Sequence, residues 1–196
     1  NPFDNERGGN NSMRTLQSDG SSRKKIFIVS LIFMGLAHLT ILKQYVKGAL
    51  FALLEMVMII LAPKIFRLLQ KMITLGEPQP DLPIFEKDNS MFMLIDGILI
   101  LAVLFIFVSL YFISVRSALS TYKDYSATDK LPESKKFLSE FGAKAFPIAG
   151  LSPLVMLILF FVVVPLVFSA SVAFTNYSAP GHIPPNNTVD WVGFDN

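Results

Sequence analysis

Three ionisable side chains stand inside apolar stretches of this 196-residue chain: His38, Glu55 and Asp96. An acid at mid-bilayer costs roughly 2.5–3.5 kcal/mol on insertion scales, so it persists where it faces protein or water. Glu55 stands near the middle of its stretch. A structural role there, bonded to a neighbouring helix or to Lys47 two turns earlier, outweighs proton coupling. Asp96 comes about five residues into its stretch, within reach of the headgroups. His38, beside Gly35 and Thr40, reads as a polar packing residue ahead of a ligand or a titrating switch. Other chemistry is absent from the sequence. With no cysteine, disulfides, thiolate metal sites and Cys nucleophiles are excluded. His38 and His182 are too far apart in sequence to make a metal-ligand spacing. The chain has no GxGxxG, GxxxxGK[ST], HExxH or GxSxG, so no cofactor, metal or catalytic residue is assigned and ATP hydrolysis is not expected of it. The sequons at Asn10, Asn176 and Asn186 read as chance matches.

The elements that carry these groups belong to a membrane protein. Hydrophobic residues make up 52% of the chain and charged residues 16%, and the mean hydropathy is +0.51; soluble domains have about 25% charged residues. A net charge of +2 is too small for a phosphate-binding field, which argues against a nucleic-acid partner. The expected fold is all-α, a polytopic transmembrane protein of three to four hydrophobic helices. Apolar runs occupy 26–42, 49–62, 92–115 and 146–174. Crossing about 30 Å of hydrocarbon takes roughly 20 residues, so the last two pass and the first two are short. Signal-peptide cleavage is not expected, because LKQYVKG follows the first run in place of a small-residue cleavage site.

Residues 1–25 are polar and are expected to form a disordered cytoplasmic tail. Residues 26–75 read as a short hydrophobic helix pair, the first member either spanning or re-entrant. Pro78, Pro80 and Pro83 mark 76–91 as an external loop. A span over 92–115, a cytoplasmic connector over 116–145 with some helical pattern near 133–141, and a span over 146–174 come next. Residues 175–196, with no Lys or Arg, suit the start of an extracytoplasmic loop that continues further, so the chain is read as a piece of a longer protein.

Lys and Arg counts set the orientation. With four spans, the two sides hold nine and eight positive residues, which favours neither. If the first run re-enters or lies in the interface, the division is thirteen against four with the tail inside. A rival in which 49–62 fails to span gives eleven against six. The preferred reading has three spans, a cytoplasmic N-terminus and an external C-terminal stretch. Lys64, Arg67 and Lys71, at helical spacing on one face, resist it, because such a face usually marks a cytoplasmic surface helix.

The final hydrophobic segment and the stretch beyond it resemble the permease subunit of bacterial maltose/maltodextrin ABC importers, the MalF-like subunit of Gram-positive type. The likeness rests on FPIAGLSPLVMLILFFVVVPLVFSASVAFTNYS at 146–178, with Pro165, Phe174, Thr175, Asn176 and Tyr177, and on WVGFDN, with Val192, Gly193, Asp195 and Asn196. A weaker likeness covers 34–55, from which Ala37, His38 and Thr40 depart. The resemblance implies one of two membrane subunits lining a sugar path in the bacterial cell membrane. Its implied partners are a second permease subunit, ATPase subunits that hydrolyse ATP, an extracellular sugar-binding protein and the lipid bilayer. The family's ATPase-docking Glu-Ala-Ala…Gly loop does not occur here, so no sugar-contacting or coupling residue is assigned. The competing readings are a small non-transporting scaffold or assembly protein, and an enzyme using Glu55 or Asp96.

Overall fold

The computed structural model describes residues 22–128 and 150–195. Most of the predicted tail, the connector from residue 129 onward with its 133–141 pattern, Pro147 and Asn196 lie outside the described residues. Among the described residues five helices succeed one another: α1 (residues 22–32), α2 (Leu36–Thr40), α3 (Tyr45–Thr74), α4 (Ser90–Thr128) and α5 (Gly150–Val172). Among the described residues there is no strand, only two isolated bridges. Three of these described helices are long and apolar enough to cross a membrane: α3, the Ser90–Asp124 part of α4, and α5. The all-α transmembrane expectation therefore holds.

Two boundaries differ from the sequence reading. The apolar run at 49–62 and the basic stretch after it form a single helix of 30 residues, about 45 Å long, which passes through Pro63. Proline removes one backbone hydrogen bond and leaves the rest of the ladder in place, which a membrane helix tolerates when its surroundings satisfy the freed carbonyl. Helix α4 begins at Ser90 and continues past Val115 to Thr128, because RSALSTYKDYSAT contains neither Gly nor Pro. Charge alone does not end a helix.

The chain divides into two compact units. The first holds α1, α2, α3 as far as Ile59 and α4 from Val108. The 26–42 run is broken there: α1 has only 11 residues, roughly 16 Å, and ends before Gly35, which adopts φ +88°. Only glycine takes that conformation at little cost. It also permits close approach, since a Cβ on Gly35 would stand 2.4 Å from the carbonyl oxygen of Gly48 in α3. Ile26, Ala37, Leu42 and Ala118 form the buried core of this unit, with Val29, Leu119 and Tyr122 packed against it.

The second unit holds the remainder of α3 and α4, the 75–89 loop, α5 and the segment after it. Its core is Leu75, Leu94, Ile98, Ala102 and Val164, with Met72, Phe160 and Phe168 against it. Leu75 sits at φ +55° immediately after α3. That backbone costs a leucine roughly 1–2 kcal/mol, which burial of its side chain, about 1.5–3 kcal/mol, offsets. Asn89 caps α4, its Oδ1 accepting from the amides of Met91 (3.1 Å) and Phe92 (3.4 Å). In α5 the residues Leu159–Val163 form a π-helical turn just ahead of Pro165. The wide turn lies where proline's missing N–H already interrupts the regular ladder.

Candidate functional site

Among the ionisable residues of the first unit, Glu55 bonds at the break in the first apolar run. The backbone of 33–35 leaves the helical ladder, and an amide freed in apolar surroundings needs an acceptor. Glu55 supplies it: its Oε2 accepts from the Met34 amide. Tyr111 of α4 donates to the Leu31 carbonyl at 2.9 Å, three residues before Met34. Lys47 donates to Ser117 Oγ. Glu55 thus reaches a backbone amide of the hairpin formed by α1 and α2.

His38 is 1% exposed, tilted against the Phe51 ring at 5.8 Å. Its Nδ1 lies 2.9 Å from Gln44 Oε1 and its Nε2 3.4 Å from the Ser114 carbonyl. Burial pushes the imidazole pKa down to about 4, the nearby Lys47 charge adds to the fall, and the bonds to Gln44 and Ser114 oppose it. The ring is therefore neutral at physiological pH. Three positions spaced three apart along α4 make these contacts: the Tyr111 hydroxyl to the Leu31 carbonyl of α1, the Ser114 backbone carbonyl to His38 of α2, and Ser117 Oγ to Lys47 of α3. The sequence reading did not name Tyr111 or Ser117, whose signal is a polar residue within or just beyond an apolar run. Asp96 belongs to the other unit and is exposed on α4.

Glu55→Gln keeps an acceptor oxygen for Met34 and is expected to leave thermal stability nearly unchanged. Glu55→Leu orphans the amide and is expected to cost about 1–3 kcal/mol, read as a lower melting temperature in detergent. Equal melts for the two variants would remove the hairpin role of Glu55.

In the second unit the residues of the two resembling phrases meet. Phe174, Thr175 and Asn176 leave α5 and pair with Asp190, Trp191 and Val192 after an excursion of the chain. The amides of Val192 and Gly193 donate to the Phe174 carbonyl at 2.9 and 3.0 Å, and the Asn176 amide donates to the Asp190 carbonyl at 3.1 Å. Asn176 Oδ1 accepts from the Asp190 amide at 2.8 Å, and the rings of Phe174 and Phe194 meet edge to face at 5.2 Å. Gly193 needs its glycine, at φ +64°. Trp191 Nε1 donates to the Met72 carbonyl at 3.2 Å, tying this strap to the C-terminal turn of α3. Tyr177 is exposed, as is Asp195, whose amide donates to the Val192 carbonyl at 3.3 Å. Pro165 stands apart from the strap, in the first turn after the π-helical segment.

Ser90 locks the same region. Fully buried, it donates to the Leu75 carbonyl at 2.6 Å and accepts from the Val189 amide at 3.1 Å. Ser90→Ala leaves both groups unsatisfied and is expected to cost about 1–3 kcal/mol, read as an earlier unfolding transition of the single tryptophan, Trp191.

Among the described residues no group of three or more His, Asp and Glu could hold a metal ion. Three apolar helices of bilayer length, with polar side chains spent on backbone groups at helix breaks and ends, define a multi-pass α-helical membrane protein. Comparison with known proteins narrows the class. The chain is 35% identical over 111 residues to the maltodextrin transport system permease protein MdxF of Bacillus subtilis, covering 56% of this chain and 25% of that one. It is 31% identical over 129 residues to the maltodextrin transport system permease protein MalC of Streptococcus pneumoniae, covering 65% and 28%. It is 29% identical over 153 residues to the galactooligosaccharides transport system permease protein GanP of Bacillus subtilis, covering 78% and 35%. The chain is thus a homologue of sugar-transport permeases, and it spans about a quarter to a third of the length of the relatives it matches. No family model and no solved structure matches it.

Proposed function

We propose that this chain forms part of the membrane-spanning permease subunit of an ATP-driven importer of maltodextrin or a related oligosaccharide. The similarity to MdxF, MalC and GanP carries this reading. The three helices of bilayer length agree with it. The subunit itself is not an enzyme; a separate ATPase pair supplies the energy, a second permease subunit completes the path, and an extracellular binding protein delivers the sugar. The N-terminus faces the cytoplasm and the strap of residues 174–195 faces outward, as the charge distribution favours. The strap residues and Pro165 shape the outer end of the subunit, and the hairpin of α1 and α2 is an accessory element on α4.

Two measurements test the reading. Disrupting the coding frame in the host is expected to abolish uptake of either labelled maltodextrin or labelled galactooligosaccharide, with restoration from a plasmid. Unchanged uptake of both would overturn it. Orientation is tested by single cysteines in the cysteine-free chain. Ser12, Ser90 and Ser126 suggest themselves from sequence, but Ser90 is buried, whereas Phe85 is fully exposed and replaces it. Phe85→Cys is expected to react with an impermeant maleimide in intact cells, and Ser126→Cys only after permeabilisation. The reverse pattern would invert the topology.

A further inference from the structure

A basic pocket in the first unit lies between α1 and α4, beside the hairpin core. Arg23, on the first turn of α1, converges with Arg116 and Lys123, which lie seven residues apart on one face of α4. The hydroxyls of Ser120, Tyr122 and Ser126 complete the polar lining of a cavity of about 550 Å³, and among the described residues no acidic side chain lines it. That volume is in the range of small-ligand sites. Three cations converging without a carboxylate among the lining residues repel one another, and a multiply coordinated oxyanion relieves that repulsion. Guanidinium forks match the paired oxygens of a phosphate, and a lysine adds a point charge.

The position along α4 says which phosphate. The apolar run of α4 ends at Val115, and Arg116 is the next residue, so the pocket opens at the level where hydrocarbon gives way to headgroups. Its floor includes Leu119, packed against the apolar core of the unit. Along α1, directly after Arg23, the side chains of Phe27, Ile28, Leu31 and Ile32 are exposed and apolar, a surface suited to acyl chains. Basic pockets between membrane helices bind anionic headgroups for these reasons. We infer that Arg23, Arg116 and Lys123 hold the phosphodiester of an anionic membrane lipid, with its acyl chains against α1. The inference rests on α4 crossing a bilayer and is independent of which face is cytoplasmic and of what is transported.

The test uses the full chain in phosphatidylcholine nanodiscs carrying a trace of spin-labelled lipid, with the motionally restricted fraction read by electron paramagnetic resonance. Phosphatidylglycerol is expected to be retained about fivefold or more over phosphatidylcholine, the effect of roughly one surface cation. Arg23→Gln/Arg116→Gln/Lys123→Gln is expected to abolish the preference. Arg23→Lys/Arg116→Lys, which keeps the charge, is expected to retain most of it. Lys64→Gln/Arg67→Gln/Lys71→Gln, on α3, is expected to leave it intact. A wild-type chain with no preference, or a preference that survives the first triple variant or disappears in the α3 variant, overturns the site. Inorganic phosphate forms the second arm. If phosphate raises the melting temperature of the wild type but not of the first variant, and phosphatidylglycerol shows no preference, the pocket takes free phosphate and the lipid assignment fails.

Discussion

Gly35→Ala is expected to collapse the N-terminal hairpin. The residue sits at φ +88°, where a non-glycine backbone costs about 1–3 kcal/mol, and the new Cβ would stand 2.4 Å from the Gly48 carbonyl oxygen and 3.0 Å from Phe51 Cβ. The 2.4 Å contact is with the backbone of α3, so it cannot be relieved by a rotamer change. Overpacking of this kind adds about 1–3 kcal/mol, giving a combined cost on the order of 2–6 kcal/mol. Such a cost exceeds what the neighbouring hydrogen bonds between Glu55 and Met34, or Tyr111 and Leu31, return at about 0.5–1.5 kcal/mol each. The absence of cysteine supplies the measurement. Ser30 is buried in α1, 3% exposed, so Ser30→Cys reports hairpin docking through its reactivity with a membrane-permeant maleimide. Protection is expected in the parent background and rapid labelling in Gly35→Ala. Equal protection in both would show that the hairpin does not depend on the close approach of Gly35 to α3.

The second large effect is a loss of stability on acidification that traces to one ring. His38 has a folded pKa of about 4 against 6.5 for the free side chain, because burial disfavours its charged form and Lys47 reinforces the effect. Above pH 6.5 the ring is neutral in both folded and unfolded chains and pH has no leverage. As pH falls below 6.5 the unfolded chain takes up a proton that the folded chain refuses, so stability declines until pH reaches about 4, where both are charged. The depression corresponds to roughly 3 kcal/mol lost across that window. Carboxylates titrate there too, so the informative quantity is the difference between wild type and His38→Gln. The melting-temperature gap between the two is expected to shift against the wild type between about pH 7.5 and pH 4.5. A gap independent of pH would mean that the ring is already solvated or charged in the folded protein.

The hairpin and the strap differ in how much of each can be read from residue order. Composition and apolar run lengths place 92–115 and 146–174 in a membrane, because hydrophobic transfer is additive along a segment and needs no knowledge of what lies beside it. The phrases at 174–177 and 192–196 are recognisable for a related reason: each is a short local pattern. Their pairing is not. Fifteen residues separate Asn176 from Val192, and nothing local in either phrase states that the Phe174 carbonyl receives two amides from the other. Helix ends are hidden in the same way. Pro63 and the charges from Arg116 onward look like terminators, yet α3 passes through the first and α4 continues through the second, because one missing bond or a solvated charge costs less than starting a new helix.

By itself the sequence determined that this protein lives in a bilayer as an α-helical chain, that it carries none of the common nucleotide, metal or nucleophile motifs, and that its last helix and exit resemble a sugar permease. Those properties are sums over neighbouring residues or short patterns, and both survive without a fold. Only the tertiary structure decided what Glu55 and His38 touch. In the sequence an acid and an imidazole in apolar stretches favour a structural role over proton transfer, but fix no partner. The chain breaks at Gly35, which frees the Met34 amide within reach of Glu55, and Gln44 and Ser114 arrive on either side of a fully enclosed ring. Those partners of His38 lie 6 and 76 residues away along the chain, and such meetings are set by which helices pack, at an entropy cost that no local window of sequence records.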